Sequence, residues 1–396
     1  MDVKSFSSFI SCLECSECKT IHDHTILQST CTQCGKSLLV RYDLAGVKKS
    51  LSKDDLVARG RHLWRYRELL PVQDEGNVIS LGEGLTPVIP LKSLGKEIGF
   101  SNLWLKDEAF NPTGSFKARG LCLAVSKARE HQIRDLCIPT AGNAGGALAA
   151  YAAAAGITAH IYMPQDTPEV NIRECHVLGA DVHLVRGVIS DAAKAMSEDR
   201  KADWFDVSTM KEPYRLEGKK TLGYEIAEQF HWRLPDFIVY PTGGGTGLIG
   251  MWKAFAELDE LGWIDSSRPK MVAVQSSGCA PIVKAYQRRA ASSEFWNDAS
   301  TLASGLRVPK AFADGLIMKT LYESRGHAFS VSDDDILQTI QMVAALEGIL
   351  LCPEGAAAVA AIQQLRDCGA GPESSVLLFN TGSGLKYIEV LQQLGL

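Results

Sequence analysis

The chain has no apolar run long enough to cross a membrane as a helix, no tract of lysine or arginine, and no internal repeat or low-complexity linker. The first absence argues against a membrane span. The start, Met1-Asp-Val-Lys-Ser5, lacks the apolar core of a secretory signal, so a cytoplasmic protein is expected. The second absence argues against nucleic acid as a partner. The 41 Lys and Arg face 46 Asp and Glu, giving a net charge of −5 with the two signs well mixed. Cysteine is not scarce, but six of the 11 (Cys122, Cys137, Cys175, Cys279, Cys352 and Cys368) are scattered through mainly apolar segments. That pattern offers no disulfide framework and fits free thiols in a reducing compartment. What remains is a chain of 396 residues, 46% apolar, able to bury large cores and to hold more than one domain.

The other cysteines are not scattered. Cys15-x-x-Cys18 and Cys31-x-x-Cys34 are two knuckles separated by 12 residues, the second followed by Gly35. Four thiolates in two such turns make a tetrahedral zinc ribbon, and a short segment gains most of its folding energy from the Zn2+. Cys12 offers an alternative knuckle with Cys15, but Cys15-Ser-Glu-Cys18 and Cys31-Thr-Gln-Cys34 resemble each other and favour Cys15 as the ligand. A disulfide or redox pair is the other reading. His22 and His24 read as exposed polar residues. The ribbon is expected over residues 1–42, followed by a charged, helix-prone connector over 43–78 that carries His62-Leu-Trp-Arg-Tyr-Arg67 and packs on the main body of the chain.

From Ile79 to the end, apolar strand-like runs alternate with helix-like stretches: Leu136–Ile138, His160–Met163, Val182–Val185, Trp204–Val207, Phe237–Tyr240, Met271–Val274 and Val376–Phe379. The fold class is therefore α/β, with parallel sheets covered by helices. Residues Ala290 to Thr301 are polar and read as a loop.

Three loops carry chemistry. Asn111-Pro-Thr-Gly-Ser-Phe-Lys117 sets one lysine directly before a helix-like segment, Ala118 to Glu130. An amine there can form a Schiff base with an aldehyde cofactor; the alternative is a solvated surface charge. Pro241-Thr-Gly-Gly-Gly-Thr-Gly247 follows a strand and opens a helix, with four glycines (Gly243, Gly244, Gly245, Gly247) around Thr246. Close backbone approach and helix-start N–H groups favour a phosphate there; the alternative is a tight turn without a ligand. Its Gly245-x-Gly-x-x-Gly250 also matches a dinucleotide fingerprint. That motif wants a carboxylate after the next strand, where this chain has Gln275 and Ser276. Pro139-Thr140-Ala-Gly-Asn143-Ala-Gly-Gly146 opens an alanine-rich helix. Asn143 there is either a cap or part of a second anion site, for a substrate carboxylate, with Thr140 beside it. All three loops fall at the carboxyl ends of strands, where open α/β sheets collect ligands.

With these loops the chain resembles the fold type II pyridoxal-phosphate enzymes and, within them, the threonine synthases. The matching stretches run in order: Leu81-Gly-Glu-Gly-Leu-Thr-Pro87, Leu103-Trp-Leu-Lys-Asp-Glu108, the lysine loop, the asparagine loop, Tyr214-Arg-Leu-Glu-Gly-Lys-Lys-Thr221, the glycine loop, Pro353-Glu-Gly-Ala-Ala357 and Asn380-Thr-Gly-Ser-Gly-Leu-Lys386. Some bacterial members also begin with a cysteine-rich segment running into a Tyr-Asp pair, here Tyr42-Asp43. The resemblance implies two open parallel-sheet domains with pyridoxal 5'-phosphate in the cleft between them, the smaller and mobile one spanning roughly residues 117–217. It implies Lys117 as the cofactor lysine and proton shuttle, Asn143 on the ring hydroxyl, Gly243 to Gly247 on the cofactor phosphate, and Thr381 on the ring nitrogen. A neutral hydroxyl at Thr381 suits elimination and replacement better than transamination; the plainer reading is a turn residue. The implied reaction takes O-phospho-L-homoserine and water to L-threonine and phosphate. A basic group must then hold the leaving phosphate, and Arg215 is the candidate, with Ser208 or Thr209 as weaker ones and a surface salt bridge as the alternative. The expected partner is a small phosphorylated amino acid, and the expected assembly a homodimer. The chain departs from the threonine synthases at Ala141 and Ala144, where Ser or Thr is common, at Ala118, and in its Gly-Gly-Gly-Thr-Gly loop. Those departures leave a serine or threonine dehydratase, or a β-replacement enzyme acting on O-phosphoserine, as the second reading. A zinc-ribbon binding protein without catalysis is the third.

Overall fold

The computed structural model describes residues 8–394; the start Met1–Ser5, read above for a secretory signal, lies outside them. The chain divides into two compact units. One comprises Met1–Leu85, Lys117–Glu225 and Lys253–Trp263, the other Thr86–Phe116, Ile226–Trp252 and Ile264–Leu396. Among the described residues no helix is long and apolar enough to cross a membrane.

The first unit opens with three antiparallel strands, β1 (Ile10–Cys15), β2 (Ile21–His22) and β3 (Leu38–Tyr42), in the order β2-β1-β3. Leu13, Leu38 and Val40 point inward and are fully buried or nearly so. Each knuckle closes on a left-handed residue just after its second cysteine: Lys19 at φ 63° and Gly35 at φ 68°. Such a residue reverses the chain in the fewest positions, and glycine takes it without strain. His22 is buried, at 9% exposure, and not the exposed polar residue expected. Its strand pairs with β1 opposite Leu13, which turns the ring inward.

Two other strands, β4 (Val88–Pro90) and β5 (Leu103–Asp107), belong to the second unit. The next four, β6 (Asp135–Pro139), β7 (Thr158–Pro164), β8 (Asp181–Val185) and β9 (Phe205–Asp206), form a parallel sheet of the first unit in the order β8-β7-β6-β9. β9 is shorter than the Trp204–Val207 expected. Trp204 leaves the ladder to stack on His160 at 3.6 Å, while Val207 N–H still donates to Cys137 O. The helices Lys117–Glu130 and Asn143–Ala155 bury most of their residues. Their side chains form one apolar cluster with Leu13, Leu38 and Val40 of the ribbon and Leu63, Trp64 and Leu70 of the connector. Ribbon, connector and lysine helix thus share a core. In the connector, a 3-10 stretch over Leu63–Leu69 is largely buried, and Arg59 pairs with Glu68 at 2.6 Å.

Helix Lys117–Glu130 crosses helix Tyr214–Gln229 at two glycines. A Cβ on Gly120 would lie 3.0 Å from Arg215 O, and one on Gly218 would lie 1.8 Å from Arg119 O. Only hydrogen fits at Gly218. At the same crossing Arg119 and Glu225 form an ion pair with neither side chain exposed.

The second unit holds a six-stranded sheet in the order β12-β11-β10-β13-β5-β4, with β10 (Phe237–Pro241), β11 (Lys270–Ser276), β12 (His327–Val331) and β13 (Val376–Asn380). All neighbours run parallel except β4 against β5. β10, β11 and β13 extend the expected runs by one to three residues, and residues 290–301 form a loop, as expected. β12, with His327 and Ser330 among apolar residues, was not legible as a strand; it sits at an edge, where burial is partial.

Candidate active site

In the second unit, β10, β13 and β5 lie side by side and parallel, so three loops distant in sequence meet along one carboxyl edge. They are the glycine loop after β10, Thr381 after β13, and residues 108–116 after β5. Direct contacts join the lysine loop to the segment from Thr381. Phe116 N–H donates to Thr381 O at 3.0 Å, Ser383 N–H donates to Gly114 O at 2.8 Å, and Lys386 Nζ donates to Thr113 O at 2.9 Å. Thr113 and Gly114 both take left-handed backbones (φ 59° each), so the lysine loop turns sharply before it reaches Phe116. Lys117 is the next residue in the chain. It is half-buried at the first position of its helix.

The glycine loop ends in helix Thr246–Leu261, 16 residues long. The first N–H groups of such a helix have no partners within it and face the loop with positive partial charge. A Cβ on Gly243 would lie 2.2 Å from Gly305 O, one on Gly245 2.3 Å from Ile317, and one on Gly247 2.1 Å from the Tyr240 hydroxyl oxygen. Packing therefore demands glycine at these three positions, apart from any ligand. Gly305 is itself fixed, its N–H donating to Glu354 at 2.7 Å, and Asn380 ties Cys352 to Asp107. Thr381 is buried, with Oγ1 3.7 Å from Cys352 Sγ. Burial pushes the Cys352 thiol well up, so it stays protonated.

In the first unit, β6 and β9 are neighbours, and their carboxyl ends carry the other candidates. Thr140 is buried, its N–H bonded to Tyr162 O. Gly142, with no side chain to offer, takes the cap position of helix Asn143–Ala155, and Asn143 is the first helical residue. The cap reading of Asn143 therefore does not hold. Ser208 is buried, and its hydroxyl donates to Asp206, which leaves it able only to accept further bonds. A phosphate oxygen needs donors. Arg215 is a buried donor: it is 2% exposed, its Nη1 donates to Val207 O at 2.6 Å, and its buried Nε has no partner. A surface salt bridge is excluded by that burial. Glu212 accepts the N–H groups of Tyr214 and Arg215 at 2.6 and 3.0 Å, and burial pushes its carboxyl up to about 7. Because Gly120 packs against Arg215 O, the guanidinium's residue sits about one helical turn along from Lys117.

Several motif residues prove to be structural. Glu83, in the first matching stretch, is fully buried and receives bonds from Trp64 Nε1 (3.1 Å), Ser80 Oγ (2.9 Å), Leu81 N (2.9 Å) and the Tyr151 hydroxyl. Glu108, in the second, accepts from Thr86 Oγ1 and Asn111 Nδ2. Both carboxylates lock the loops that lead to the candidate residues.

In the ribbon, Cys15, Cys18, Cys31 and Cys34 place their four sulfurs within 4.8 Å of one another, and Cys12 is not among them. Sγ separations of 3.4 Å (Cys15–Cys34) and 3.6 Å (Cys18–Cys31) are far beyond a disulfide bond. They approach the roughly 3.8 Å edge of a tetrahedron of thiolates around zinc, taking about 2.3 Å per Zn–S bond.

A family model described as "Pyridoxal-phosphate dependent enzyme" matches residues 79–382. The chain belongs to that pyridoxal-phosphate-dependent enzyme family. Among curated relatives, the threonine synthase of Methanocaldococcus jannaschii is 33% identical over 94% of this chain and 92% of its own length. That of Methanosarcina acetivorans is 35% identical over the same shares, and that of Mycobacterium tuberculosis is 32% identical over 81% of this chain and 87% of its own. Solved structures establish the fold as type II. Threonine deaminase isoform 2 of Solanum lycopersicum superposes with a TM-score of 0.66 at 21% identity, covering 84% of this chain and 94% of that one. The L-serine ammonia-lyase of Rhizomucor miehei also gives 0.66 at 21% identity, over 78% and 98%.

The residues of this pyridoxal-phosphate family member fit the cofactor that the family implies. The amine of Lys117 opens a helix, the glycine cradle leads into a long helix start, and Thr381 presents a buried neutral hydroxyl. Each of them is a residue that the sequence analysis singled out. Sequence reasoning missed Cys352 beside Thr381 and Glu354 behind Gly305, whose motif gave no sign of which residue they would touch.

Proposed function

We propose that this chain is a threonine synthase, taking O-phospho-L-homoserine and water to L-threonine and phosphate. The observation that carries the reading is Arg215, a buried guanidinium with an unpartnered Nε at the carboxyl edge of a sheet, packed on the lysine helix about one turn from Lys117. The threonine synthase names of relatives that match more than nine-tenths of the chain support it. Pyridoxal phosphate, when bound, supplies the electron sink that makes protons at Cα and Cβ removable. Lys117 is the amine that would hold it and, once released, the base that takes those protons in turn. Asn143, Gly243 to Gly247 and Thr381 would hold its ring hydroxyl, phosphate and ring nitrogen. The Cys352 thiol can donate to Thr381 Oγ1, which directs the threonine's own proton away from the sulfur. Thr140 and the helix start at Asn143 would take the substrate carboxylate. Arg215 would hold the substrate phosphate and stabilise it as it departs from Cγ. A proton returned to Cγ, a water added at Cβ and a proton returned to Cα complete the balance. The four ribbon sulfurs would bind one zinc ion, closed to substrate and structural.

The test is turnover of O-phospho-L-homoserine with the amino-acid product identified. Wild type should release phosphate and threonine in equal amounts, and Lys117→Ala should release neither. Arg215→Met should raise KM by on the order of 100-fold, since charge-assisted bonds contribute about 1.5–3 kcal/mol each. A keto acid as the main product would move the assignment to a dehydratase.

A further inference from the structure

The ribbon has no part in the chemistry above, yet two of its residues reach the segment that carries Arg215. Ser37, buried at 3% exposure, lies three positions after Cys34 and donates its hydroxyl to Met210 O at 2.8 Å. Met210 is a buried residue in a left-handed backbone (φ 63°), a conformation that persists only where neighbours impose it. At the far end of β3, the Tyr42 hydroxyl donates to Glu217 Oε2 at 2.8 Å. Glu217 is fully buried and also held by Lys220 Nζ at 2.6 Å and Lys253 Nζ at 2.5 Å. Those ammonium groups lie over the Tyr42 ring, 4.0 and 5.1 Å from its centroid. Arg215 is therefore bracketed, at 210 and at 217, by bonds to Ser37, the residue just before β3, and to β3 itself. That strand's place is set by β1, with Leu38 opposite the metal-ligand candidate Cys15.

We propose that the ribbon is a positioning device for the phosphate subsite: Ser37 and Tyr42 hold residues 210–217 in the conformation that presents Arg215. The proposal rests on Arg215 as the phosphate ligand. It makes Ser37 and Tyr42 positioning residues that touch no substrate, and it couples substrate affinity to the integrity of the cysteine site.

Ser37→Ala and Tyr42→Phe each remove one hydroxyl and keep the side-chain packing, and Tyr42→Phe keeps the ring between the two lysines. The readouts on cofactor-loaded protein are amide hydrogen exchange over residues 208–217, zinc content, and KM and kcat separately. In the double variant we expect faster exchange in that segment and unchanged zinc. KM should rise about tenfold, the effect of losing two hydrogen bonds of ordinary net strength, with kcat within about twofold. In an Arg215→Met background the same pair should add little to KM, because the effect passes through Arg215. Unchanged exchange overturns the clamp. Faster exchange with unchanged KM overturns the positioning role, while a raised KM in Arg215→Met alone shows that the phosphate assignment stands. If Arg215→Met itself leaves KM unchanged, the phosphate assignment fails and the proposal falls with it.

Discussion

Replacing Arg119 with Met tests whether the lysine helix is held where the crossing with helix Tyr214–Gln229 puts it. The Arg119 guanidinium meets Glu225 with two bonds, at 2.5 and 2.7 Å, and donates to Thr221 Oγ1 at 3.0 Å; neither charged side chain is exposed. Removing one partner of such a pair leaves a buried carboxylate without its guanidinium, at a cost of about 3–5 kcal/mol. With an unfolding entropy of about 2.1 cal/mol/K per residue, a cooperative melt of all 396 residues would shift Tm by about 4–6 °C. A unit of half that size melting alone would shift about twice as far. The double variant Arg119→Met, Glu225→Leu should recover at least half of the loss, because a buried ion pair is often matched by apolar residues of similar volume. Calorimetry or denaturant unfolding of wild type, both singles and the double completes the cycle. A single-variant loss under about 1 kcal/mol, or a double no better than Arg119→Met, would refute the reasoning.

Gly243→Ala should weaken cofactor binding roughly tenfold or more, since its Cβ must displace the backbone oxygen of Gly305, which Glu354 holds in place; cofactor absorbance on titration reads it, and wild-type affinity would sink the steric argument. Zinc analysis should find one ion per chain, and a strong chelator should lower Tm because Cys15 and Cys31 belong to the shared apolar cluster; an unchanged melt after metal removal would separate the ribbon from that core. Glu212 has its carboxyl raised by burial to about 7. The folded state therefore holds its proton more tightly than the unfolded chain, and stability falls as pH rises from about 4.5 through about 7. Glu212→Gln, which keeps an acceptor for the two N–H groups, should gain on wild type across that window and hold a constant margin above it. A margin independent of pH would contradict the assignment.

The local features of this chain were legible from its sequence because they depend on neighbours in sequence. Glycines and an asparagine after apolar runs mark strand-to-helix turns, and two like-spaced cysteine pairs mark the four-cysteine cluster. What was not legible depends on partners far along the chain. Nothing near Glu83 announces that Trp64 and Tyr151 will converge on it. The Ser37–Met210 bond joins positions 173 apart, and Arg119 and Glu225 are 106 apart. Arg215 was found through its motif, but its burial and its bond to Val207 O belong to the tertiary structure. His22 was misread because two residues of β-ladder opposite Leu13 leave no periodic trace.

The placement of β13 has a consequence for how the protein is made. This strand, Val376–Asn380, is the last strand among the described residues to be synthesised, yet it lies in the middle of its sheet, between β10 and β5. Until it emerges from the ribosome, β5 and β10 have no partner on their facing edges, and the segment 111–116 lacks the backbone groups of Thr381 and Gly114's partner Ser383 that fix it. The six-stranded sheet cannot close vectorially. Its nascent edges remain open until β13 is made, so this half of the protein should lean on chaperones in the meantime.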